Sequence, residues 1–480
     1  MNTSSCARRR FAKRLAQPAV VRDAVGGCVD DHIDGHRVCA EFGSIPEIVS
    51  DLPTFAGLAL AACSVACGAS PATWAAERGD FAALHDAVAE RQTAGDLSPG
   101  EAVTLAKIVA DHELRFASGP DASDRIRSAR SCARELDGAL ASRMRAHDSA
   151  GAEAALARLD AGLGSLDDAR AFVSDPNSDW RAVATRALVL REDGEARRRA
   201  LVDPEPNVRR QAARAARDAR DAADLTVLAD VARIDPEPMV STEAVRAIAA
   251  LPASPDGAVA DALADLWGSR DEALREDIAL AWSNSAIWDH GGRDRLYMVV
   301  ASEHGPPAIE AAAAVLRRRD ADAEVTRTAI EALDRAIRGG SIGTRLQALA
   351  EAPLDRSELI TAVREARSSD DAMVRVGALA RLNEVVELRS ASDVEQLEAL
   401  ARAGSNVVER ARFALAMSGD RRIQAWVEQG LRADRPEARL AAATELGAMG
   451  RSARAAPLLA DGDPAVRLRA ACAMILAARH

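Results

Sequence analysis

The stretch DPEPNVRRQAARAA, residues 203–216, opens on turn residues and runs into a helix whose small side chains fall in step. With Val208 as anchor, Ala212 stands four positions on and Ala215 seven, so all three share one helical face. A bulky residue followed by alanines lets a second helix come close, because its ridges settle into shallow grooves. Arg209 lies at the edge of that stripe.

The phrase recurs. Anchors fall at Trp180, Val208, Val240, Leu274, Ala308, Thr344, Val374, Val407, Ala438 and Val466, with gaps of 28 to 36 residues. That spacing is the range of helical solenoids. Arg follows the anchor in seven of the ten units, and Ala stands at the fourth position after it in nine, Ile278 being the exception. Asp175-Pro176, Asp203-Pro204, Asp235-Pro236 and Asp463-Pro464 precede four of the anchors. They predict an Asp cap with Pro in the first turn. A second helical stretch, such as 222–233 or 394–402, separates successive phrases. Each unit is then a helix pair that buries its apolar face only by stacking on neighbours.

The phrases at 203–216, SDDAMVRVGALARL at 369–382 and DGDPAVRLRAACAM at 461–474 resemble HEAT-like repeats, in the short bacterial form also found in phycobilisome lyases. The resemblance covers about 175–480. It implies an all-α solenoid of stacked helix pairs, superhelical, and says little about function, since such repeats serve many unrelated roles.

Residues 174–480 therefore read as the repeat solenoid of about ten units. Residues 71–173 read as a divergent helical N-terminal cap, because a terminal repeat has one face in water. Within it, Ser98-Pro99-Gly100-Glu101 is a capping box, 118–123 reads as a loop, and helices are expected over 125–146 and 150–162. Residues 1–51 show little hydrophobic periodicity and read as a disordered extension or as lying upstream of the true start.

Between them, residues 52–70 hold a short apolar run that ends in Leu60-Ala61-Ala62-Cys63. The ending resembles a bacterial lipobox, which implies a lipid on Cys63 followed by a short Ser- and Gly-bearing tether. The run is too short to span a bilayer and has the length of a signal-peptide core. Ser64, next in line, implies an outer-membrane lipoprotein facing the periplasm. The other reading of 55–67 is a buried helix, which places the protein in the cytoplasm.

Charge and chemistry narrow the function. Net charge is −11, and 73 acidic residues are interleaved with 62 basic ones, all but Lys13 and Lys107 being Arg. A nucleic-acid groove needs a concentrated positive surface, so no nucleic-acid partner is expected. Cys28, His32, His36 and Cys39 cluster, but their spacing is too cramped for ordinary zinc ligation. The seven cysteines form no regular disulfide framework, and Cys472 reads as a small buried thiol. No phosphate loop or nucleophile elbow occurs. Trp282 to Gly292 interrupts the rhythm and reads as an aromatic gap filler rather than a binding loop. The recurring Arg reads as a structural partner for the Asp of the adjacent turn.

The expected function is a non-enzymatic scaffold without cofactor or metal, holding a protein partner on a concave surface built by the second helices. Membrane contact is expected only through the lipid anchor. A bilin-lyase-like or DNA-glycosylase-like enzyme and a soluble intracellular assembly factor are the alternatives.

Overall fold

Alanine spacing dictates how closely these helices pack, and the packing dictates the curvature. The computed structural model describes residues 70–95, 97–268, 272–403 and 407–479, and the chain from Pro71 onward forms one compact unit. The described residues contain helices and turns and no strand.

In chain order the helices are α1 (Pro71–Arg78), α2 (Phe81–Ala94), α3 (Pro99–Arg115), α4 (Ala122–Ser128), α5 (Asp137–Met144), α6 (Ser149–Asp160), α7 (Leu166–Arg170), α8 (Ser178–Arg186), α9 (Gly194–Ala200), α10 (Pro206–Ala219), α11 (Leu225–Ile234) and α12 (Pro238–Ile248). There follow α13 (Ala258–Trp267), α14 (Glu272–Trp282), α15 (Arg293–Ser302), α16 (Pro306–Leu316), α17 (Ala323–Arg338), α18 (Ile342–Glu351), α19 (Ser357–Ala366) and α20 (Ala372–Glu384). The last are α21 (Ala391–Arg402), α22 (Val408–Met417), α23 (Gln424–Gly430), α24 (Pro436–Ala448) and α25 (Pro464–Ala477). Two 3-10 segments, Arg130–Leu136 after α4 and Ser452–Ala460 after α24, act as further helical rods.

The even-numbered helices from α4 to α24, together with α25, carry the repeating phrase or its equivalent and form a first layer. Each touches the next. The fourth position after the anchor is buried in every unit, from Ala184 through Ile278 to Ala470. The odd-numbered helices from α3 to α23, with the Ser452–Ala460 segment, form a second layer; most of them pack on the following first-layer helix, while α3 packs on α25 and α17 most closely on α16. Replacing Ala442, 3% exposed on α24, with Trp forces this close packing apart. Urea titration of Ala442→Trp is expected to show a loss of about 1–3 kcal/mol.

The helix starts differ from the expected pattern in one respect. Asp463 caps α25 by accepting from Ala465 N, with Pro464 in the first turn, as expected. In the D-P-x-P units the second proline, Pro206 or Pro238, is the one that opens the helix. Asp203 and Asp235 lie one step earlier and accept from the amides of Glu205 and Glu237, which shapes the turn instead of capping the helix. In the first unit Asn177 is the cap, and Asp175 accepts from its amide.

The two ends of the unit meet. Residues 71–173 are not a water-facing cap. They pack on the C-terminal repeats, and one apolar cluster joins Leu105, Ile126 and Leu140 with Leu446, Val466 and Ile475. α25 lies against α3, against α4 and against Arg130–Leu136, so the first layer continues from α24 through α25 to α4 without a gap. Twelve helix pairs complete the circuit among the described residues.

The recurring Arg shows how the seam is built. Arg209 donates to Asp235 at 2.6 and 3.0 Å, just past the second helix of its own unit, and Arg439 does the same to Asp461 at 2.7 and 2.9 Å. Each also donates to two carbonyls of the turn before its helix. Arg467 occupies the same place in α25. Its partner is Glu113, in the last turn of α3, at 2.7 Å. α3 is thus the second helix of the C-terminal unit, supplied from 354 residues upstream. The last unit is a hybrid of both ends of the repeat region. α2 braces it from outside, where Gln92 donates to the carbonyls of Ala453 and Arg454.

A covalent link crosses the same seam. Cys132 and Cys472 form a disulfide, with Cα atoms 5.5 Å apart. Both residues are buried, and Cys472 is not the free thiol expected of it. The helix expected over 125–146 is broken into α4, a 3-10 segment and α5, with non-helical geometry at Cys132. Packing against α25 overrides local helix propensity there.

Candidate functional site

In a curved stack the more closely packed layer lies on the inside. The first-layer helices are the closely packed ones, because alanine lines their contacts, and so they, not the second helices, build the concave side. Side-chain reach agrees. Arg214 on α10 contacts Asp160 on α6 at 2.9 Å, passing over α8, and Gln347 on α18 reaches Glu276 on α14 at 3.1 Å, passing over α16. Next-nearest helices meet in this way only where the surface curves inward.

The inner face from α4 to α14 carries a continuous ladder of charge. Glu153 holds Arg127 at 3.3 Å and Arg130 at 2.5 Å. Asp160 is shared by Arg130, Arg186 and Arg214. Asp218 is shared by Arg186 and Arg217, and Glu243 by Arg217 and Arg246, which continues to Asp277. Burial works to raise the Asp160 carboxyl, but Arg214, Arg186 and Arg130 outweigh it and hold the pKa below the usual Asp value. Glu153, Asp160, Asp218 and Glu243 thus each serve two or three guanidinium groups, and Arg127 also holds Asp124 at 2.6 Å.

Arg210 stands apart in this ladder. Its one hydrogen bond goes to the side-chain oxygen of Asn207, at 2.9 Å. Burial, together with the like charges of Arg130, Arg127 and Arg214, lowers its pKa from the ordinary Arg value, and Glu153 opposes this only in part.

Aromatic residues of the interrupted unit fill space. Trp282 and Trp288 are buried, and the Trp282 indole donates to Ala260 O at 3.3 Å. The turn packs so closely that a Cβ on Gly292 would lie 2.5 Å from Trp282 O. A surface cavity of about 600 Å³ opens beside Arg317, Arg318, Arg319 and Arg356. Glu351, Asp320 and Asp355 pair with three of those arginines.

Cys63, the apolar run 52–67 and the Cys28-His32-His36-Cys39 cluster lie outside the described residues. Among the described residues no helix is long and apolar enough to cross a membrane, and no group of His, Cys, Asp and Glu is arranged to hold a metal. The inner-face arginines escaped the sequence reading, which treated Arg as a solvated surface residue. The available signal was Arg210 and Arg214, two and six positions after the Val208 anchor, on the helix face opposite the alanine stripe.

These features define a helical repeat protein whose stack closes on itself. No protein-family model matches the chain, and no curated protein matches it. Among solved structures it is similar to an engineered protein at 20% identity, with TM-score 0.29, over 69% of this chain and 99% of that one. It is also similar to YibA of Escherichia coli at 15% identity, TM-score 0.26, over 61% and 95% of the two chains. A third is UNC-45 from Drosophila melanogaster, at 13% identity and TM-score 0.26, over 83% and 68%.

Proposed function

We propose that this protein is a non-enzymatic interaction scaffold that holds a polypeptide partner on the inner face of its first helical layer. The carrying observation is the charge ladder from Arg127 to Asp277, a polar surface running over consecutive helices of one concave wall. A curved repeat surface suits an extended or helical ligand, since each unit adds a few contacts.

The disulfide across the seam supports a setting outside the reducing cytosol. It favours the lipid-anchored envelope protein over the intracellular assembly factor, and it is independent of the Leu60–Cys63 motif. A photocrosslinker placed at residue 214 is expected to capture a species in cells that the same group at Arg199 misses, Arg199 being exposed on α9 in the second layer. Equal capture from both positions, or none from 214, overturns the scaffold reading. For the anchor, wild-type protein is expected to incorporate labelled fatty acid and Cys63→Ser is not. Labelling of Cys63→Ser excludes that cysteine as the lipid site.

A further inference from the structure

We infer that Arg210, with Arg127, Arg130 and Arg214 around it, is a seat for acidic side chains of a polypeptide partner. The inference rests on the scaffold reading and names the chemistry that the inner face recognises.

Three observations carry it. Arg210 lies on α10, while Arg127 lies on α4 and Arg130 just beyond it, three first-layer positions away. Concave curvature brings these like charges into one another's field. A single guanidinium gains nothing from such company unless an anion joins it. Second, the ladder acids that hold its neighbouring arginines are already committed. Glu153 is 5% exposed and held by Arg127 and Arg130, and Asp160 is held by Arg130, Arg186 and Arg214. Arg210 is left with a neutral amide oxygen. Third, the Nε atom of Arg130 is buried and has no acceptor.

The setting selects a polypeptide over a small free anion. Two surface cavities lie at other residues, one beside Arg317 and the other beside His304. The Arg210 region is a wall, with further shared carboxylates continuing along it to Arg246 on α12. An extended chain with several carboxylates can meet Arg210 and then displace or bridge the shared pairs of neighbouring units. The whole protein carries a net charge of −11, and Arg210 is, among the described residues, a cation without an acidic hydrogen-bond partner on this acidic molecule. That contrast steers an acidic segment toward the inner face and away from the outside.

The test is binding of a short fluorescent polyglutamate peptide to the full chain, followed by anisotropy. Binding is expected to weaken as salt rises. Arg210→Ala is expected to weaken it roughly tenfold, the loss of one charge-assisted contact. Arg210→Lys keeps the charge and is expected to restore part of it, and Arg199→Ala is expected to leave it unchanged. Thermal melting of each variant separates a lost contact from a lost fold. Absence of peptide binding, an equal loss in Arg199→Ala, or full displacement of the peptide by an equal concentration of inorganic phosphate overturns the proposal. If the wild-type chain does not bind polyglutamate while residue 214 still captures its partner in cells, the acidic seat fails and the scaffold stands.

Discussion

Replacing Cys472 with Ala, or reducing the native chain with dithiothreitol, is expected to lower stability by about 3–5 kcal/mol and to split unfolding into stages. The size follows from topology. Cys132 and Cys472 are 340 residues apart, so the bond removes a large part of the freedom of the unfolded chain. The chain-entropy relation puts a loop of that length near 6 kcal/mol at room temperature, and native disulfides commonly deliver somewhat less.

The change in mechanism follows from the ring. An open stack has two ends, each with one neighbour, and such ends melt first because stability is a sum of unit and interface contributions. A closed circuit has no end. Breaking the link leaves the hybrid unit of α3 and α25 held by noncovalent contacts alone, among them Arg467–Glu113 and Arg479–Glu135. Hydrogen exchange should then rise first at Met474 and Ile475, which are buried in the intact ring. Simultaneous exchange throughout the reduced ring would show that the bond does not govern how the seam opens.

Much of this architecture is written locally. The anchor and the residue four positions later, Ala in nine of ten units, need only one helix to be recognised, and all ten of those positions are buried. The pairing of Arg209 with the next turn's Asp is likewise a short-range feature. Closure is not local. Nothing near Glu113 marks it as the partner of an Arg 354 positions later, because α3 lacks the repeating phrase and is recognisable only by the place it fills. The two cysteines are equally silent in sequence, since pairing depends on the ring having already brought their helices together. The inner-face site required the curvature as well. Arg210 reads as an ordinary solvated residue until Arg130 is seen to hold the same Asp160 that Arg214 of α10 holds.

The second large effect concerns Glu445 on α24. It is 4% exposed, and among the described residues its side chain has no hydrogen-bond or ion-pair partner. Burial pushes its pKa from 4.5 up to about 8, Arg412 pulls it back in part, and Glu409 adds to the rise. The folded state therefore binds a proton that the unfolded state has already released. Below pH 4.5 both states hold it, and the residue costs nothing electrostatically. As pH climbs from 4.5 to 8 the unfolded chain ionises first, so stability falls across that window, and above 8 the full cost is present.

Glu445→Gln keeps the shape and removes the ionisation. Its urea midpoint is expected to exceed that of the wild type by an amount equivalent to about 2–5 kcal/mol at pH 8, with the difference shrinking toward zero at pH 4. The neighbouring Arg412 sharpens the test, since its Nε is buried without an acceptor. Arg412→Met removes the only attraction that lowers the Glu445 carboxyl and should widen the pH window upward. A Gln variant with the same pH profile as the wild type would mean that the carboxylate finds solvent or a cation on ionising, and that this interface opens more readily than its packing implies.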